Sequence, residues 1–387
     1  MEVEDSMIKP INTSQPYYYI SKAKFANNTD NTHYRPSQSD IGKPENNGIG
    51  LHNHKAYSQP LISFGAYDFS LKSEKGLTCP CCGVTMSTNE EINSFVNKMT
   101  GATGNKIITE IEKYEDRLPE VERSVTNRLK IEAEKYDRLD LNGLLRKIQN
   151  EPKKELEKKQ KVILNEIKEL AENLSDDTYK VIKKDIDAID KIITEGKNGQ
   201  PFKRKILIKG MEKVRDRETS PKNIYILEKI VEKTMDMPTS STDANAFIVK
   251  YCRRTTPEIA RRLIEPSQAT AEHIKPHSKK GHDGAENYLS ECKKCNNDRG
   301  NISYTEWLKI HPEMIKNTQI YMDEVIEKIT NGSLKNFDFY PAAVKKALFE
   351  ESGGKINLDI SKHIEFRKQL KRLRQTDSNN NNQPALT

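Results

Sequence analysis

Residues 269–301 read ATAEHIKPHSKKGHDGAENYLSECKKCNNDRGN, with Glu272-His273 followed by Pro276, Gly281 and Asn287, then by Cys292, Cys295 and Asn296. Asn287 stands fourteen residues after His273, and Cys292 five after Asn287. A Cys-x-x-Cys pair presents two thiolates to one ion, and a tetrahedral structural zinc needs four. The second pair lies far upstream, in GLTCPCCGVTMS (residues 76–87), where Cys79, Cys81 and Cys82 sit with Pro80 and Gly83. Cys79 and Cys82 have the x-x spacing and are the expected partners of Cys292 and Cys295, although Cys81 could replace one of them. Cys252 stands apart and reads as a buried thiol.

The two pairs are separated by 210 positions, far more than in an ordinary zinc ribbon. A helical excursion that leaves and returns at one point would reconcile that gap with a single ion. The intervening chain suits it. Leu156, Ile163, Ile167, Leu170 and Leu174 form one heptad-like stripe, and Ile182, Ile186, Ile189 and Ile193 form another. Asn173-Leu174-Ser175-Asp176-Asp177 supplies capping residues between them, which predicts an αα-hairpin. Pro119 and Pro152 mark helix starts, and Gly196 and Gly199 close the second striped helix. A further helix begins at Ser220-Pro221. The stripes are the candidate interface for a homodimer or a partner protein, or simply the inner face of a local bundle.

The pattern in 269–301, with the distant knuckle, resembles the HNH (His-Asn-His/Asn) endonuclease family in its cysteine-bearing form. The family pattern is a Cys-x-x-Cys knuckle, an acid and a His on a strand, a Gly-containing loop, an Asn about fourteen residues on, then Cys-x-x-Cys-Asn opening a helix. The close match covers about thirty residues. Three departures are visible: Glu272 stands where Asp is more usual, the loop reads Gly281-His282-Asp283-Gly284 where adjacent glycines are frequent, and the knuckle is displaced by the insertion.

The resemblance implies a ββα-metal module and hydrolysis of phosphodiester bonds in DNA, with RNA kept as an alternative. His273 would be the general base, since a neutral imidazole accepts a proton near neutral pH. Glu272 and Asn296 would hold a divalent cation, Mg²⁺ or Mn²⁺, that offsets phosphate charge. Asn287 would pin the loop and orient His273. The zinc would be structural. Restriction or anti-phage defence, mobile elements and phage functions are typical settings for such nucleases. Lys275, His277, Lys279, Lys280, Lys293, Lys294 and Arg299 cluster around the motif as candidate phosphate contacts. His282 is a further loop histidine that could touch phosphate or metal.

Composition sets the frame for the rest. The chain has 387 residues, a net charge of +7, 31% charged and 34% hydrophobic residues, and six cysteines. That excludes a disulfide scaffold and a compact β-protein. No stretch approaches the roughly 20 apolar residues of a membrane span. The opening MEVEDSMIKP does not read as a secretory signal, so a cytoplasmic protein is expected.

The expected organisation has six parts. Residues 1–60, with only seven Leu, Ile or Val, read as a disordered arm relieved by the β-prone patch Tyr17–Ile20. Residues 61–104 hold a strand in LISFGAYDFS and the zinc knuckle. Residues 105–240 are the helical insertion, and 241–335 the HNH core with following helices, one of them capped at Ser303 and Glu306. Residues 336–374 form a basic helical region, and 375–387 a disordered tail. The fold class is therefore mainly α with a small α+β core, flanked by helices. Two rivals remain: a non-catalytic zinc-stapled nucleic-acid-binding module, and a helical scaffold with a degenerate motif.

Overall fold

A computed structural model describes residues 70–195 and 204–380. The expected arm at 1–60, the Tyr17–Ile20 patch, all but the end of the strand expected at 61–70, Gly196, Gly199 and residues 381–387 lie outside the described residues.

The fold is mainly helical with one small sheet. After the knuckle come α1 (Asn89–Met99), α2 (Asn105–Glu112), α3 (Glu120–Lys135), α4 (Leu141–Ile148), α5 (Asn150–Ala171), α6 (Asp176–Glu195), α7 (Arg204–Arg215), α8 (Pro221–Met235), α9 (Ala244–Tyr251) and α10 (Thr256–Ile264). Then β1 (Ala269–His273) and β2 (Tyr288–Cys292) pair antiparallel, and α11 (Lys293–Arg299), α12 (Tyr304–Ile310), α13 (Met314–Thr330), α14 (Tyr340–Glu351) and α15 (Ser361–Asn380) follow. Helix α15 continues into the segment expected to be a tail from residue 375.

Three apolar cores organise these elements. The first joins the knuckle, the sheet and α12–α14 through residues such as Leu77, Met86, Leu289, Trp307 and Val325. The second packs α1–α4 against α9 and α10, with Phe95, Leu129, Leu144, Phe247 and Leu263 inside. The third is the striped bundle: Leu164 and Ile167 of α5, Ile182, Ile186, Ile189 and Ile193 of α6, Met211 of α7, and Leu227 and Ile230 of α8. Both stripes are thus packed inside the chain, with Ile163 and Leu170 partly buried beside them, as the inner face of a local bundle.

The second and third cores form one helical lobe, which begins earlier and ends later than the 105–240 expected. Thr88 caps α1 in a capping box: its N–H donates to Glu91 Oε2 at 2.9 Å, and its hydroxyl accepts from the Glu91 N–H at 3.3 Å. Helix α1 then packs on α10 instead of on the sheet, through Ile92, Phe95, Ile259 and Leu263.

The lobe is closed at its base. The Ser87 N–H donates to the Ser267 carbonyl at 2.9 Å, and the Ala269 N–H donates to the Ser87 carbonyl at 2.9 Å. The two hydroxyls, 180 positions apart, lie 3.0 Å from each other and are buried. The excursion therefore leaves the module and returns to it at a single point.

Candidate active site and metal centre

The knuckle is a tight turn. The Gly83 N–H donates to the Cys79 carbonyl at 3.0 Å, and the Cys79 N–H to the Val84 carbonyl at 2.8 Å. Gly83 has φ +74°, a left-handed conformation that other residues rarely adopt. Helix α13 holds the turn from outside: Glu324 accepts from Thr78 N–H at 2.7 Å and from its hydroxyl at 2.6 Å, and Asn317 Nδ2 donates to the Cys81 carbonyl at 2.7 Å.

The turn is set against the start of α11, so that the Sγ atoms of Cys79, Cys82, Cys292 and Cys295 all lie within 4.8 Å of one another. Cys82 Sγ and Cys292 Sγ are 3.8 Å apart. A tetrahedral zinc with Zn–S bonds of about 2.3 Å requires sulfurs about 3.8 Å apart. The donor set and spacing fit a zinc ion. These are the four cysteines that the spacing predicted, brought together across 210 positions. Cys81 turns elsewhere, into a separate buried group with Glu291 and Cys295. Cys252 is buried, as expected, and donates to Gln149 Oε1 at 3.1 Å.

The sheet places the acid–histidine pair. Its register sets Glu272 opposite Leu289 and His273 opposite Tyr288. Adjacent strand residues point to opposite faces, and they do so here. Glu272 turns inward and is 6% exposed. Its carboxylate is bound by the guanidinium of Arg299, which is 1% exposed and also donates to the His273 carbonyl. His273 turns outward, half-buried.

Two expectations change as a result. Glu272 and Asn296 do not meet around an exposed cation site. Asn296 Nδ2 instead donates to Thr270 Oγ1 and to the Ala271 carbonyl, both at 3.1 Å, tying α11 to β1. Arg299 is not a phosphate contact, because its charge is buried against Glu272. A pair of opposite charges out of water stays together, since separating them leaves each one unpaired.

Asn287 pins the loop. It is buried, accepts from the Lys275 N–H at 2.8 Å, and donates to the carbonyls of Lys275 at 3.0 Å and His282 at 2.8 Å. Gly281 is needed for the same loop, because a Cβ there would lie 1.8 Å from the Lys275 carbonyl oxygen.

The group that orients His273 is Asp283, which the sequence reading did not single out. Its Oδ1 is within hydrogen-bond reach of His273 Nε2 at 3.1 Å, His277 Nε2 at 2.7 Å and the Tyr288 hydroxyl at 2.7 Å. Those bonds, Tyr288 first, hold the Asp283 carboxyl well below the usual range. Burial, then Asp283 itself, pushes the Tyr288 phenol up. The His273 ring also lies 4.4 Å from the Tyr288 ring and 4.5 Å from the His277 ring. His273, His277 and Asp283 together form a group able to hold a metal ion. The available signal was a carboxylate on a Gly-bounded loop between two histidines and the pinning Asn287.

Three of the candidate phosphate contacts carry acidic partners: Lys275 with Glu351 at 3.6 Å, Lys293 with Glu265, and Lys294 with Asp298 at 2.8 Å. Lys279 and Lys280 are exposed on the loop that carries His277, as His277 is itself.

The family model for HNH endonuclease matches residues 250–301, which span the end of α9, α10, the whole hairpin and α11. The chain thus carries an HNH-type segment, and that segment is of a nuclease type. The knuckle at 79–82 lies outside the match. No curated protein and no solved structure matches the chain.

Proposed function

We propose that the protein is a metal-dependent HNH-type endonuclease that hydrolyses phosphodiester bonds in DNA, with a structural zinc at Cys79, Cys82, Cys292 and Cys295. The observation that carries the reading is the exposed His273–Asp283–His277 cluster, supported by the buried Tyr288 and pinned by Asn287.

An ionised carboxylate only accepts hydrogen bonds. The Nε2 atoms of both imidazoles facing Asp283 therefore carry their protons, and the lone pair of each neutral ring is at Nδ1. His273 is then the base: its Nδ1 accepts the proton of the attacking water, and Asp283 stabilises the imidazolium that forms. The water oxygen bonds to phosphorus as the bond to the 3′ oxygen breaks, leaving a 5′-phosphate and a 3′-hydroxyl. Lys279 and Lys280 neutralise the backbone beside the cleavage point. Glu272, Arg299 and Asn296 position the strand that bears the base.

A divalent cation, when bound, supplies charge neutralisation at the phosphate and the leaving oxygen. His277 and Asp283 are the residues that would hold it, with His277 Nε2 giving up its proton to solvent as the ion binds. A nitrogen–oxygen pair suits Mn²⁺ better than Mg²⁺, which prefers oxygen alone.

Plasmid cleavage by the full chain tests the reading, with Mn²⁺, Mg²⁺ and EDTA compared. Metal-dependent nicking is expected, strongest in Mn²⁺. His273→Ala should lower the rate by about 10²–10⁴-fold, and Asp283→Asn by about 10–100-fold. Equal cleavage by wild type and His273→Ala would defeat the assignment. DNA retained on a gel but uncut in every metal would point to a binding module. If Glu272→Gln removed the metal dependence and Asp283→Asn left it, the cation would belong at Glu272 instead.

A further inference from the structure

Beside the four-cysteine cluster lies a second group of donors that the nuclease reading does not use. Glu291 of β2 is fully buried, and neither of its carboxylate oxygens has a hydrogen-bond partner among the described residues. Cys81, equally buried, and Cys295 bring their sulfurs within 4.8 Å of that carboxylate and of each other. The Tyr304 hydroxyl and Arg299 Nε are buried nearby and also lack partners.

A buried carboxylate with no hydrogen-bond partner among the described residues is among the costliest groups a protein can hold. A core built to hold a neutral side chain here would carry Leu or Met. The three side chains also offer four donor atoms: two sulfurs and both carboxylate oxygens. Mixed thiolate and carboxylate donors at four-coordination suit zinc.

We propose that Cys81, Glu291 and Cys295 bind a second zinc ion, with the Cys295 thiolate bridging it to the ion held by Cys79, Cys82, Cys292 and Cys295. Each cysteine gives up its thiol proton to solvent as metal binds. Five thiolates and one carboxylate then face two dications, a net of two negative charges. The buried Arg299, whose charge is felt at Cys81, offsets part of that excess. The bridge explains why the knuckle carries a third cysteine between the two ligands of the first ion. It also explains why an acid, rather than an apolar residue, fills the last inward position before Cys292.

The proposal rests on the zinc reading of the four-cysteine site, and the experiment separates the two. Zinc per chain is measured by elemental analysis on the full-length protein, with far-UV circular dichroism as the folding control. Wild type is expected to hold two zinc ions, and Cys81→Ala and Glu291→Leu one each. One zinc in wild type would overturn the second site and leave the first standing. None would overturn both. Two zinc ions in folded Glu291→Leu would also overturn the bridge.

Cobalt titration of zinc-stripped protein gives a second readout. Wild type should saturate its thiolate-to-cobalt absorption at two equivalents, and Glu291→Leu at one. If neither variant folds, the wild-type stoichiometry in zinc and in cobalt still decides the matter.

Discussion

Cys292 N–H reaches Cys79 Sγ across 213 positions of sequence, whereas Ile167 of α5 packs in one core with Ile182 and Ile186 of the next helix. The cysteine-centred module and the striped bundle of the helical lobe are built by these opposite means. Within the lobe, the bundle of α5–α8 is made of near neighbours in sequence, held by apolar stripes that a helical period reveals. The module is assembled from two distant stretches and keeps polar groups inside: Glu272 with Arg299, Glu291, and the thiols of Cys79, Cys81, Cys292 and Cys295. Local apolar patterning gives stability without precise placement of polar atoms. The module's chemistry needs that placement, and metal and buried ion pairs provide it.

The largest test of this contrast is metal removal. Trp307 is the only tryptophan and lies 2% exposed in the module core, so its fluorescence reports on the module alone. Structural zinc contributes on the order of 10 kcal/mol in small zinc-folded peptides. Chelation should therefore shift Trp307 emission to the red while most of the far-UV helical signal survives. Loss of both signals together would make module and lobe one cooperative unit.

Next in size is Arg299→Leu, which leaves the Glu272 carboxylate buried and alone. It should cost about 3–5 kcal/mol, read as a lower urea midpoint of Trp307 fluorescence, and adding Glu272→Leu should restore most of the loss. No recovery in the double variant would mean that the pair does more than satisfy itself.

In the lobe, Leu227→Ala removes a fully buried side chain from the bundle core. A cost of about 2–5 kcal/mol is expected in the far-UV transition, with the Trp307 midpoint unmoved. Thr88→Ala deletes the cap at the join and should cost about 1 kcal/mol. Because Thr88 adjoins the Ser87–Ser267 closure, its effect should register in both probes, and an effect in the far-UV signal alone would show the join to be loose.

The smallest effect concerns acid. Asp283 has a depressed carboxyl, so its contribution is present above the ordinary carboxyl range and is lost as pH falls through the lower folded value. Wild type and Asp283→Asn should therefore differ in stability at neutral pH and converge only below about pH 4. Convergence at a higher pH would mean that the three hydrogen bonds to Asp283 do not persist in solution.

Much of this was legible because it is local or because spacing carries it. The stripes of α5 and α6, the gathering of Cys79, Cys82, Cys292 and Cys295, and the hydrogen bonds of Asn287 to its loop could all be read from position. Burial could not. Arg299 looks in sequence like Lys293 and Lys294, yet it lies against Glu272, because α11 turns that face onto the sheet. The resemblance puts Glu272 on a divalent cation, whereas strand alternation turns it inward onto Arg299. Asp283 was passed over because its partners, His273, His277 and Tyr288, converge only once the loop closes on Asn287. The packing of α1 on α10 joins two segments that both lie outside the 105–240 expected for the insertion, and no change of composition marks it.

The closure at Ser87 and Ser267 has a consequence for how this chain can change over time. The join fixes two points a hydrogen bond apart and is indifferent to the length of what lies between them. Duplication, loss or exchange of helices α5–α8 would leave the join in place, so that bundle can diverge as a cassette more freely than the module. Relatives of this chain would then be recognisable by the short module and unlike one another everywhere else.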